Sequence, residues 1–237
     1  MPSRTAYPYD TYICNKETSD EGYHILYLGD ELLASQKKIT WRGGAMLAPV
    51  PPVMVTCGTL EKPNVLTIGW TGILNTIPPK TYISVRPSRY SYDLIKENGE
   101  FIINLTTTHM IKAADYCGVR SGRNEDKFAV TGLHIEEASK VACPMLVESP
   151  VSLECSVTDV VSLGSHDMFI ADILAVNVDS SFIDKEGKFH LDKCSLAAYA
   201  HGEYFSLGQK IGSFGFSVKK KKKKKKTKEK VGKVVVK

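Results

Sequence analysis

Residues 144–179, PMLVESPVSLECSVTDVVSLGSHDMFIADILAVNVD, constrain the fold more than any other part of the chain. β-Branched and apolar residues dominate both sides of one Gly-Ser turn, so the segment reads as two long strands joined at Leu163–His166. Other segments carry the same signature. ITWRGGAML and APVPPVMVTCGTL read as extended, and NVLTIGW follows a turn at Glu61–Pro63, which predicts a hairpin. The apolar strand that starts at Asn64 breaks into a turn at Asn75–Pro79, and TYISVR and EFIINL are further strands. Two short helices interrupt them. One is capped by Ser88, runs through Glu97 and stops at Asn98-Gly99; the other covers HMIKAADYCG and ends at Gly118. AVTGLHIEEA reads as a strand and turn, and residues 180–216 alternate short turns with aromatic positions. Closing a sheet removes its exposed edges, so the expected fold is mainly β, a barrel with inserted short helices.

A single barrel of 237 residues needs no linker, and none rich in Pro, Gly or Ser interrupts the chain. Net charge requires more care. Residues 219–237 hold 12 of the 31 Lys and Arg and one of the 26 acidic residues, which leaves 19 basic against 25 acidic residues elsewhere. The body is mildly acidic, and the overall charge of +5 describes the lysine run, not a nucleic-acid-binding surface. Eight consecutive lysines, 219–226, read first as a solvated, disordered tail and second as a patch for nucleic acid or anionic lipid.

Several chemistries lack their residues. The six cysteines (14, 57, 117, 143, 155 and 194) show no CxxC spacing, which argues against a zinc or iron–sulfur ligand set. Free, buried cysteines in a reducing cytoplasm are the expectation. No metal site is expected, since nothing pairs the six histidines at helical spacing. There is no GxGxxG after a strand, GxxxxGK[ST], HExxH or GxSxG, so a Rossmann domain, P-loop, zincin and hydrolase elbow are unsupported. No apolar run approaches the roughly 20 residues that span a bilayer.

What remains is an anion site. Ser84, Arg86, Ser88, Arg89, Ser91, Arg120, Ser121, Arg123 and Lys127 fall on turns and helix ends, where unpaired backbone N–H groups favour a phosphate-bearing ligand. The same stretches, NVLTIGW, RPSRYSYDLIKENGEFIINLTT and DYCGVRSGRNEDKF, resemble the flavoredoxin branch of the flavin reductase-like proteins, over roughly residues 39–216.

That resemblance implies a split β-barrel of Greek-key type that binds FMN. Asn64 and Trp70, six residues apart, match the pair that borders the flavin. Ser91 matches the hydroxyl that contacts the phosphate, with Ser88 and Arg89 beside it and Ser84 also among the cofactor residues, and Lys127 in NEDKF matches the family's loop lysine. His166 in GSHDMFIADI matches a histidine near the cofactor, and Tyr199 or a neighbouring aromatic supplies a wall for the ring. Each has a plainer role open to it: Trp70 as core, Ser88 as a cap, Lys127 as an idle surface lysine. The implied domain spans 39–218, with 1–38 a flexible extension and 219–237 the tail. The implied activity is hydride uptake from NADH or NADPH by the flavin, which requires no protein acid or base. The alternatives are a flavoredoxin-type electron carrier with a redox partner protein, and a flavin-independent binding protein acting through its lysines. A homodimer with the flavin near the subunit interface is implied too.

Overall fold

A computed structural model describes residues 38–219, so the expectations for 1–37 and for the lysines from 220 onward lie outside the described residues. The chain divides after Ala45, and everything below concerns residues from Met46 on. The ITWRGGAML segment, expected as extended, forms no strand.

Seven antiparallel strands make the main sheet: β1 (Val53–Gly58), β2 (Pro63–Ile68), β3 (Thr71–Thr76), β4 (Pro79–Val85), β5 (Glu100–Asn104), β8 (Val151–Ser162) and β9 (Asp167–Val178). Their order is β2-β1-β5-β8-β9-β4-β3, and the non-sequential pairings of β1 with β5 and β9 with β4 are crossovers of the Greek-key kind. Two small hairpins complete the strands, β6 (Ile135–Glu136) with β7 (Met145–Leu146), and β10 (Ala197–Ala200) with β11 (Glu203–Ser206). The architecture is the expected split barrel.

The β8–β9 ribbon turns at the expected residues, and Leu163 N donates to His166 O at 3.0 Å. Its register slips at Glu154/Cys155 and at Val157/Asp159, and such bulges bend a ribbon. One core lies inside the curled sheet and includes Val53, Val55, Ile83, Phe101, Phe169 and Ala171. Helix α1 (Tyr90–Asn98) closes it with Tyr92 and Ile95 and ends on Gly99 at φ +69°, a left-handed position suited to glycine. A second core lies outside β1 and β2, where helix α2 (Ile111–Val119) packs Ala114 and Cys117 against Met54 and Val65.

Four local expectations are corrected. The single strand expected from Asn64 is two, β2 and β3, broken at Gly69–Trp70, and the following turn shrinks to Ile77–Pro78. The N-cap of α1 is Arg89 rather than Ser88. Gly118 lies inside α2, which ends a residue later; a Cβ there would come 3.3 Å from Thr67 Cβ, so this glycine serves close packing on β2. Residues Lys127–Thr131 form helix α3 rather than a strand, because Asp126 caps it by accepting from Phe128 N at 2.9 Å and Ala129 N at 3.1 Å.

Candidate functional site

The site residues gather around β2, the start of α1 and the loop that follows α2. Asn64 is the second residue of β2 and is 4% exposed. Its amide donates to Ser91 Oγ at 2.6 Å, tying β2 to the first turn of α1, and lies 3.9 Å from the thiol of Cys57. Burial pushes that thiol up to about 11 against hydrogen bonds from Ser91 and Asn64 and the charge of Lys127, so Cys57 stays protonated and inert. On the other side of Asn64 the RSGRNED loop closes in. A Cβ on Gly122 would sit 2.1 Å from Asn64 Oδ1 and 3.1 Å from Tyr90 Cδ1, so the approach admits glycine alone.

Lys127, at the start of α3, is 3% exposed. Its ammonium donates to Val65 O at 2.8 Å and Cys117 O at 2.9 Å, clamping β2, α2 and the loop together. Burial lowers its pKa and nearby Arg89 adds to the effect. It is no idle surface lysine, and two of its three N–H donors are committed to backbone.

Arg86 and Arg89 flank the turn between β4 and α1, where Arg89 N donates to Arg86 O at 2.9 Å. Neither guanidinium is in an ion pair or a side-chain hydrogen bond among the described residues. The β4–β9 register sets Val85 against Asp167 and so brings His166 beside the same turn. Burial and the two arginines hold the His166 pKa below its ordinary value, which keeps the imidazole neutral near pH 7. A clasp fixes this juxtaposition: Asp167 accepts from Tyr92 Oη at 2.6 Å and from Ser162 Oγ at 2.8 Å. Arg123 is engaged elsewhere, 3.4 Å from the Asp93 carboxylate and over the Tyr90 ring at 5.7 Å.

The remaining expected residues lie toward the far end of β2. Trp70 occupies the β2–β3 break and is 38% exposed; its carbonyl accepts from Ser84 N at 2.9 Å. The ring of Tyr199 lies against the same bend, 3.9 Å from a Cβ placed on Gly69, and tilts on Tyr204 with centroids 5.3 Å apart. Asn64, Arg89, Ser91, Lys127 and His166 therefore supply the polar, cationic part of the site and Trp70 and Tyr199 the aromatic part, with Ser84 on β4 between them, two residues before Arg86 and bonded to Trp70 O. Along β2, six residues separate Asn64 from Trp70, up to about 20 Å.

The family is now decided. The model of the flavin reductase like domain matches residues 46–208. The chain belongs to the flavin reductase-like family. The flavoredoxin of Desulfovibrio vulgaris (Miyazaki F) superposes with a TM-score of 0.71 at 29% identity, over 77% of this chain and all of that one. A protein of Archaeoglobus fulgidus is 35% identical over 142 residues, 60% of this chain and 78% of its own. The NADPH-flavin oxidoreductase of Streptomyces viridifaciens is 25% identical over 151 residues, 62% of this chain and 75% of its own.

Reading the sequence missed three contributors to this site. Arg86 stood among the turn cations but not among the cofactor residues, Gly122 gave no signal beyond a glycine in a basic loop, and nothing in the sequence pairs Tyr92 with Asp167. A separate cavity of about 450 Å³ opens elsewhere, lined by Thr107, His109, Met110, Lys193 and Ser195 among others, and holds none of the expected residues. Among the described residues no three His, Cys, Asp or Glu cluster as a metal site, and no helix is long and apolar enough to cross a membrane.

Proposed function

We propose that this protein binds FMN and acts as an NAD(P)H-dependent flavin oxidoreductase. The observation that carries the reading is the pair Arg86 and Arg89, two cations without a counter-ion among the described residues, beside a neutral histidine, a buried lysine and the first turn of α1. Like charges held together without an acid select an anion, and FMN presents a phosphate. Arg86, Arg89 and Ser91 hold the phosphate. Lys127 fixes the loop through Val65 O and Cys117 O, and Asn64 sets the Ser91 hydroxyl. Trp70 and Tyr199 wall the ring, with Ser84 on the strand between them and the arginines, and His166 stands beside the cofactor as an uncharged donor or acceptor. Bound flavin supplies the redox chemistry, accepting hydride at N5. The protein binds, orients and excludes water.

A second reading, a flavoredoxin-type electron carrier with a protein partner, is favoured by the likeness to the Desulfovibrio flavoredoxin. A homodimer is part of the proposal. Exposed Ile73 and Ile77 on the β3–β4 hairpin and exposed Leu174 and Val176 on β9 are apolar surface suited to a second copy. Among the described residues, five buried, unpaired cysteines support a cytoplasmic setting.

Purified protein should be yellow and release FMN. Under anaerobic conditions NADH or NADPH should bleach the flavin and sustain turnover with an added acceptor. Bleaching only by a protein or chemical reductant would favour the carrier; the absence of any flavin binding would defeat both.

A further inference from the structure

Outside the flavin site, the cavity of about 450 Å³ is built from three stretches of chain, 107–113, 131–150 and 179–195. Met110 and Ala113 at the start of α2, Leu133 after α3 and Pro150 before β8 give it an apolar lining. A concave, mostly apolar space of this size with a few polar groups is the form of a small-molecule site. The stretch 179–195 is pinned at both ends: Asp179 N donates to Pro150 O at 3.0 Å and Thr108 N to Ser195 O at 2.8 Å. Between them His190 Nε2 lies 2.7 Å from Asp184 Oδ2, and Ser195 holds φ +50°, a left-handed value that is costly for a residue with a Cβ.

The polar groups that line this cavity are only partly used by the fold. Thr107 is 9% exposed, yet its hydroxyl makes no hydrogen bond among the described residues; unlike the unpartnered hydroxyl of Thr106 beside it, it is not sealed off. Lys193 and Asp179 line the same space, and neither belongs to an ion pair among the described residues, with the other or with a third group. Asp179 accepts from Ser181 N at 2.8 Å with one oxygen, and its other oxygen has no partner there. Glu148 is engaged already, with Oε1 3.0 Å from His134 N and 2.7 Å from its Nδ1. Burial pushes the Cys194 thiol up, and Asp179 and Asp192 add to the effect, so it stays protonated and unreactive. An exposed charge by itself is ordinary. Opposite charges around one apolar cavity that do not meet each other leave a gap for an occupant carrying both signs.

We infer that this cavity binds a small zwitterion, an amino acid with an apolar side chain. Its carboxylate meets Lys193, its ammonium the free oxygen of Asp179 and the Thr107 hydroxyl, and its side chain Met110, Leu133 and Phe182. The inference does not depend on the flavin reading.

The test is ligand-observed NMR of the full chain, with whatever flavin it carries, against L-leucine and two truncated forms of it: isocaproate, which lacks the ammonium, and isoamylamine, which lacks the carboxylate. Leucine should bind at concentrations up to about 10 mM, and each truncated form at least about tenfold more weakly. Lys193→Met should weaken leucine by about tenfold and leave isoamylamine unchanged. Asp179→Asn, which keeps an acceptor for Ser181 N, should weaken leucine by a similar factor and leave isocaproate unchanged. Absence of leucine binding overturns the inference. So does a truncated form that binds as well as leucine, or folded variants that bind leucine like wild type. Displacement of leucine by FMN overturns it as well, by making the cavity part of the flavin site. The truncated forms decide on wild type alone, should a variant fail to fold.

Discussion

Lys127 illustrates how a residue can serve a ligand without spending itself on it. Its two bonds to Val65 O and Cys117 O hold three elements in register, and burial would be costly for an ammonium lacking them. Lys127→Met removes both donors and strands two carbonyls, each worth roughly 1–3 kcal/mol if left unpaired. We therefore expect a clear drop in thermal midpoint and parallel losses of FMN and riboflavin affinity. Loss of FMN affinity alone, at an unchanged midpoint, would make Lys127 a direct phosphate ligand instead. Arg86 and Arg89 differ in kind: no carboxylate or carbonyl among the described residues claims their guanidinium groups, so their charge is available.

Among the elements, the β8–β9 ribbon does more than fill the sheet. Glu154 on β8 is fully buried and accepts from Ser139 N and Oγ, Lys140 N, Val141 N and the Asn177 amide, at 2.5–3.1 Å. Burial opposes its charge, but these donors outweigh burial and bring its pKa from 4.5 to about 2. The folded form thus prefers the carboxylate. Its stabilisation is present above pH 4.5 and is lost as pH falls through about 2. We expect Glu154→Gln to lower the midpoint at pH 7 and to flatten its fall in acid, a difference on the order of 3 kcal/mol. Melts across that range with an unchanged acid slope would contradict the assignment.

The same elements show what a sequence reveals. The ribbon was legible because β-branched runs flank one Gly-Ser turn. The β2–β3 break was not, since Gly69–Trp70 sits inside a continuous apolar run and the bend is set by Val50 and Tyr199 packing on it. AVTG looked like strand because β-branched Val and Thr favour it; the Asp126 cap decided for helix. The site divides the same way. Asn64, Ser91 and Lys127 could be matched to family motifs, whereas the approach of His166 to Arg86 depends on a pairing register between strands some 80 residues apart in sequence.

At the scale of the whole molecule, the exposed apolar residues of the β3–β4 hairpin and β9 are what a lone barrel leaves unexplained. Ile77→Asp combined with Val176→Asp should convert a dimer to monomer in analytical ultracentrifugation, since both positions are exposed in one chain and add charge only at the contact. An unchanged mass would move the interface elsewhere. Flavin retention in that variant would report how far the site depends on the second copy.

The account's central claim is that FMN is selected by its phosphate at Arg86 and Arg89. Fluorescence titration of FMN and riboflavin against wild type and an Arg86→Gln, Arg89→Gln variant tests it directly, because the two ligands differ only in that group. Charge-assisted bonds of roughly 1.5–3 kcal/mol each predict that wild type prefers FMN by at least about tenfold. In the variant FMN affinity should fall to near that of riboflavin, which itself moves by less than about threefold. Equal affinities in wild type, or an FMN preference that survives loss of both arginines, would contradict it.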